Sequence, residues 1–233
     1  TWASLFTLRQ SLSMVTLVDK LNQFGELTKK NGDDDLSKAI KLFLSLAVSR
    51  QADYSTSLCT WHLTGEKINH TFGRQALPMI MDFAEVNPFS NKSGSFKGAI
   101  EWVSLVCDHN KYMGHSGIAE KSDATKHPLP TDSATLFFTD PPYYNAVPYA
   151  DLSDFFYLWL KKSDENNFPD LFKQSTTPKE NEICEMAGWD PIRYPQKTGR
   201  WYEEKMTLAM SEGRRVLTND GIGIVVFAHK STS

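Results

Sequence analysis

The 233-residue chain predicts an α/β fold with a parallel sheet, preceded by a helical appendage. Three observations carry that expectation. The run Ala134 to Thr139 is apolar without alternation, as a central parallel strand buried on both faces reads. Leu152, Phe155, Phe156, Trp159 and Leu160 then recur at the spacing of one helix face, which predicts a helix packed on the sheet. Tyr202, Met206, Ala209, Met210, Gly213, Val216 and Leu217 mark a further helix, which Asn219-Asp220-Gly221 turns into the apolar run Ile222 to Ala228.

Composition narrows the class. Hydrophobic residues make up 40% and charged residues 23%, which suits an ordinary globular chain of one large domain, or one domain with an appendage. No run is apolar enough to span a membrane, so no membrane partner is expected. Cys59, Cys107 and Cys184 stand far apart, so no disulfide framework is visible and a reducing, cytoplasmic setting is expected. The start at Thr1 and the end at Ser233 just after a strand read as a fragment. A net charge of −3 does not announce a nucleic-acid binder, but phosphate contacts need only local cations. Lys161-Lys162, the stretch Arg193 to Arg200, and Arg214-Arg215 are the candidates; each also reads as a solvated face.

From the N-terminus, Met14, Leu17, Val18, Leu21 and Phe24 predict a first helix, stopped by Asn31-Gly32. Asp33, Asp34 and Asp35 open a second, where carboxylates suit the positive end of the helix dipole. Its expected apolar face is Leu36, Ile40, Phe43, Leu44 and Ala47. Cys59 and His62 have a Cys-x-x-His spacing, but no second ligand pair follows, so no metal site is expected. Arg74 stands among apolar residues and suits either a phosphate of a bound strand or a structural capping role. Asn87 to Gly94 reads as a turn before a helix from Ser95 to His109. Gly117 to Lys121 is a short strand candidate, followed by Asp123. An acid at the carboxyl end of a strand is placed to accept from a ligand, and an aspartate there also serves as a turn cap.

The next strand feeds Asp140-Pro141-Pro142-Tyr143. The carboxylate accepts hydrogen bonds. Proline has no N–H and a fixed φ, so the adjoining carbonyl is a second acceptor in a set direction. The tyrosine ring offers a flat face on which an extruded base can stack. Two acceptors and one stacking face describe a socket for an exocyclic amine on a planar ring. Accepting from both N–H groups returns electron density to a delocalised nitrogen. A methyl group on a sulfonium would then be a suitable electrophile, with orientation and electrostatics supplying most of the catalysis. The plainer reading is a rigid turn after a strand.

Asp140-Pro141-Pro142-Tyr143 at a strand end resembles the catalytic motif of the amino-methyltransferases that act on adenine N6 in DNA. The longer run Thr139 to Tyr157, with His70-Thr71-Phe72-Gly73-Arg74-Gln75-Ala76-Leu77-Pro78 and Phe227-Ala228-His229-Lys230, is similar to the branch of adenine-specific DNA methylases that also carries a zinc ribbon. The resemblance implies a partial Rossmann-like methyltransferase core using S-adenosylmethionine, with DNA as partner through a flipped adenine. It implies that Asp140, Pro141, Pro142 and Tyr143 are catalytic, that Asp123 and Asp140 hold the cofactor, and that Tyr143, Tyr144 and Arg74 meet the substrate. It also implies that an upstream part of the same protein, with the ribbon and the loop for the methionine moiety, is missing. Asn87-Pro88-Phe89 departs from that loop in its acid and its glycine spacing, so weak cofactor binding by the chain alone is expected.

The expected division is residues 1–110 as a mainly helical appendage and 111–233 as the partial core, with an irregular, proline-rich insertion at about 163–200. A methyltransferase acting on another planar amine or amide, such as an RNA base or a protein glutamine, remains an alternative. So does a non-catalytic binding module.

Overall fold

A computed structural model describes residues 1–29, 34–74, 76–111 and 114–227. They form a mixed helix-and-sheet protein in two compact units. Residues 1–115 with 152–177 make the first, and residues 116–151 with 178–233 make the second. Asn31-Gly32, Asp33, Gln75 and Ala228-His229-Lys230 lie outside the described residues. Among the described residues no helix is long and apolar enough to cross a membrane.

The first unit is built on helices α1 (Leu8–Lys29), α2 (Asp34–Asp53) and α3 (Phe96–Asn110). A reciprocal cap starts α1: the Gln10 amide N–H donates to Thr7 Oγ1, and the Thr7 N–H donates to Gln10 Oε1 at 2.8 Å. Met14, Val18 and Leu21 are buried as their spacing predicts, with Leu17 and Phe24 packed beside them. The face of α2 matches expectation at Leu44 and Ala47, which are packed, and departs from it elsewhere. Leu36, Ile40 and Phe43 are exposed, and the helix instead buries Ser37, Lys41, Ser45, Val48 and Ala52. The small side chains let the paired helix approach, and Gly25 of α1 leaves room for the Lys41 stem, which a Cβ would meet at 2.9 Å.

A two-residue hairpin, β1 (Trp61–His62) with β2 (Lys67–Ile68), leads by way of a loop to α3. Residues 87–94 form the expected turn. Gly94 takes φ +80, and a Cβ there would meet Ile68 at 2.9 Å, so glycine is required twice over. Ser95 then caps α3 by accepting from the Gly98 N–H.

Helix α4 (Tyr149–Asp164) begins in the second unit and runs into the first. Its aromatic face is buried within the first unit, by other helices. Phe155 and Trp159 join Met14, Val18, Leu21, Val48 and Ala52 in one core, with Trp2, Phe6 and Phe72 packed against it. The 3.6-residue period shows that a face is buried; it carries no label for the surface that buries it. The two compact units part at 115/116, and residues 152–177 lie with the N-terminal helices in the first.

In the second unit, β3 (Ala134–Thr139) pairs in parallel with β4 (Leu217–Val225), and α5 (Gly199–Val216) supplies the crossover. The strand and its parallel pairing match the sequence reading; its burial does not. Leu136 and Phe138 are 54% and 63% exposed, because among the described residues β3 has one strand neighbour and one covered face. That face holds Phe137, whose ring lies against Gly213 of α5, where a Cβ would come within 2.6 Å. Helix α5 ends at Val216 and β4 starts at once. Asn219-Asp220-Gly221 lies in a register shift within the strand, between the pairs Ala134–Leu217 and Leu136–Ile222, and not in a turn before it. Gly117 to Lys121 is exposed and irregular rather than a strand.

Candidate functional site

The pairing of β3 and β4 persists one step past the strands, where the Val226 N–H donates to the Thr139 carbonyl at 2.9 Å. Asp140 follows at the carboxyl end of the pair. Its Oδ1 accepts a hydrogen bond from the Tyr143 hydroxyl. The Tyr143 ring stands edge-on to Phe227, with centroids 5.3 Å apart. A turn closed by the Ala146 N–H on the Tyr143 carbonyl, at 2.9 Å, holds the backbone beneath it.

The two prolines differ. The Pro142 carbonyl accepts from the hydroxyl of Tyr202 on α5 at 2.6 Å, and Tyr202 is 2% exposed. No described residue donates to the Pro141 carbonyl. The motif therefore presents one carboxylate and, beside it, a carbonyl that no described residue claims, with the next carbonyl anchored to the helix. Tyr202→Phe keeps the ring and removes the anchor. Losing a hydrogen bond to a half-buried carbonyl costs about 0.5–1.5 kcal/mol, so urea melts of this variant should show a loss of that order. An unchanged midpoint would mean that Tyr202 does not hold the loop.

Tyr144 has φ +44, a left-handed conformation that bulky residues rarely adopt. Three contacts hold it there. Its carbonyl accepts from the Glu185 N–H at 3.0 Å, its hydroxyl donates to Glu203 Oε1 at 3.1 Å, and its ring lies 4.2 Å from that of Tyr202. The hydrogen bond to Glu203 raises the phenol pKa above its ordinary value. Tyr144, Glu203, Met206, Met210, Arg214 and Phe227 line a cavity of about 530 Å³.

The expected irregular insertion contributes the support for this segment. Residues 178–198 have no helix or strand, yet Cys184, Met186 and Tyr194 form a small core of their own. Lys197 is 1% exposed; its ammonium donates to the Lys179 carbonyl and, at 2.7 Å, to the Glu182 carbonyl. It also faces the rings of Tyr194 and Trp201 at 5.3 and 5.4 Å. Burial lowers its pKa. The Glu182 carboxylate accepts from the Ala150 N–H at 2.8 Å, and burial raises its pKa. The insertion thus clamps both Tyr144 and the start of α4.

Burial, with the Glu182 carboxylate adding to it, pushes the Cys184 thiol up from 9.0 to about 12. The folded state keeps a proton that the unfolded chain releases above 9.0, so the thiol's contribution to stability is present below that pH and is lost as pH rises through about 12. Cys184→Ala should therefore show a smaller fall in Tm than the parent chain between about pH 8 and about pH 11. Equal falls would remove Cys184 from the alkaline response.

The other singled-out residues have local partners of their own or stand exposed. Asp123 lies in the second unit in an exposed turn, where its Oδ1 accepts from the Thr125 N–H at 2.9 Å and from the Thr125 hydroxyl at 2.7 Å. Those bonds lower its pKa. With Gly117 to Lys121 irregular, it stands at the end of a turn and not of a strand. Arg74 lies in an exposed bend of the first unit. Arg193 pairs with Asp151 and Asp190, Arg200 with Glu204, and Lys197 is buried. Arg215 binds Glu212 at 2.8 Å and the carbonyls of His127 and Leu129, stapling the approach to β3. Cys59 donates to the Asp53 carbonyl, and His62 Nδ1 accepts from the Gly65 N–H. Among the described residues no cluster of three or more His, Cys, Asp or Glu side chains could hold a metal ion.

Tyr202, Glu203, Glu185 and Lys197 were not legible as site residues. Tyr202 reads as one apolar position of a helix, and nothing in its spacing says that its hydroxyl reaches a carbonyl sixty residues earlier. Comparisons with known protein families, with curated proteins and with solved structures find no match.

Proposed function

We propose that this chain carries the amine-accepting site of a Rossmann-like, S-adenosylmethionine-dependent methyltransferase whose methyl acceptor is adenine N6 in DNA. The supporting observation is the position of Asp140 to Tyr143 directly at the carboxyl end of a parallel β3–β4 pair joined through α5. Ligands of such folds bind at that end of the strands.

In this reading the Asp140 carboxylate and the Pro141 carbonyl accept the two N–H groups of the amine. Both bonds favour a tetrahedral nitrogen with its lone pair available for a methyl group. Tyr143 offers its ring face to the base, and Tyr144 shapes the pocket wall. The cofactor itself fits only in part. Asp140 stands where the reacting end belongs, but Asp123 is committed to its own turn. Among the described residues no glycine-rich acidic loop follows a strand to hold the methionine portion. No step is therefore derived beyond the amine.

A second substrate class is favoured by one observation. The arginines at 193, 200 and 215 are engaged with acids or carbonyls, so support for a phosphate backbone is thin. An amide such as a protein glutamine needs no such support and presents the same pair of N–H donors. The test is product analysis. The intact protein is incubated with labelled S-adenosylmethionine and with DNA, RNA and a glutamine peptide in turn. N6-methyladenine in DNA supports the first reading, methylated glutamine the second, and no label in any product overturns both.

A further inference from the structure

The Asp140 carboxylate is not idle in this structure. Its Oδ1 is engaged by the hydroxyl of Tyr143, a donor three residues along the same loop. Three things hold that donor in place: the turn closed by Ala146 on the Tyr143 carbonyl, the edge contact with Phe227, and the stiffness of the two intervening prolines. The adjoining acceptor, the Pro141 carbonyl, receives no donor from any described residue. One oxygen of the Asp140 carboxylate, Oδ1, is taken from within, and no described residue takes the neighbouring Pro141 carbonyl.

We infer that the Tyr143 hydroxyl is a placeholder for the substrate amine, a donor that competes with the amine for Asp140 Oδ1. This rests on the reading of Asp140 as the amine acceptor. In the resting site the hydroxyl keeps the carboxylate paired and aimed, so its orientation is already set when the amine arrives. Entry of an amine exchanges one hydrogen bond on Asp140 for another and adds a new one on Pro141. A planar ring without the amine has nothing to exchange and leaves the Tyr143 bond in place. The phenol responds to the same contact: the hydrogen bond to Asp140 raises its pKa above the ordinary tyrosine value. The placeholder thus lowers affinity for the amine, and removing it should increase that affinity without touching the ring that stacks.

The test compares two single-stranded oligonucleotides on the intact protein by fluorescence anisotropy, without cofactor. One carries a single adenine in a run of thymines. The other carries at that position a purine lacking the exocyclic amine. In the parent chain adenine should bind more tightly than purine. In Tyr143→Phe the Kd for the adenine strand should fall about tenfold, since a bond to an ionised acceptor is among the stronger ones, while the Kd for the purine strand stays put. In Asp140→Ala the preference for adenine should shrink, since only the Pro141 carbonyl is left to accept. A parent chain that does not distinguish the strands overturns adenine as the amine this site accepts, and the placeholder argued on it. A parent chain that does distinguish them, with no gain or with a parallel gain for both strands in Tyr143→Phe, overturns the placeholder alone.

Discussion

Asp140→Ala should slow methyl transfer by about 10³ while leaving the fold intact. Removing one preorganised group from a site of charge development costs about 10²–10³ in rate. Here the loss should reach the upper end, because the variant lacks the carboxylate and also frees the Tyr143 hydroxyl to swing into the space. The residue lies beyond the last strand pair and outside both buried clusters, so urea midpoints and far-ultraviolet circular dichroism should stay close to the parent values. Asp140→Asn should be nearly as damaged. An amide can turn its N–H₂ toward the substrate amine and present a donor where an acceptor is needed. Both variants are assayed in the intact protein with whichever substrate the product analysis identifies. Turnover within tenfold of the parent in either one would remove Asp140 from the chemistry.

Phe155→Ala should give the largest stability loss. The side chain is fully buried, and its ring meets those of Trp2, Phe6, Phe72 and Phe156 at centroid distances of 5.1 to 5.8 Å. Truncating a buried phenylalanine costs about 3–5 kcal/mol, from lost burial and from the cavity left behind. Rigid aromatic neighbours cannot collapse into that cavity easily, which favours the upper half of the range. Phe155→Leu should cost less, since most of the volume remains. Hydrogen exchange locates the effect. Protection should fall in α1 and α2, whose Met14, Val18, Val48 and Ala52 share the core with Phe155. Protection lost in β3 and β4 instead would return the aromatic face of α4 to the sheet.

Local pattern was enough for the elements that depend on near neighbours. The helices at 8–29, 34–53, 96–110, 149–164 and 199–216, the turn at Asn87 to Gly94 and the strand at 134–139 all follow from periodicity, capping residues and turn chemistry within a few positions. The position of Asp140 to Tyr143 was legible for the same reason, being the few residues between an apolar run and a helix. Contacts across the chain were not. Helical period says that one face of α4 is buried, and the fold alone decides that Trp2, Phe6 and the first two helices bury it. In α2 the apolar count pointed to Leu36, Ile40 and Phe43, but close approach of a second helix rewarded Ser37, Ser45 and Ala52. The state of the motif was likewise decided in three dimensions. Whether a carbonyl or a carboxylate is free depends on which donor comes within 3 Å of it. Tyr143 reaches Asp140 by a turn, whereas Tyr202 reaches Pro142 only because Gly213 lets α5 lie close over Phe137. Short-range sterics are written in consecutive residues; the pairing of distant polar groups is set by backbone packing, which no single stretch of the chain encodes.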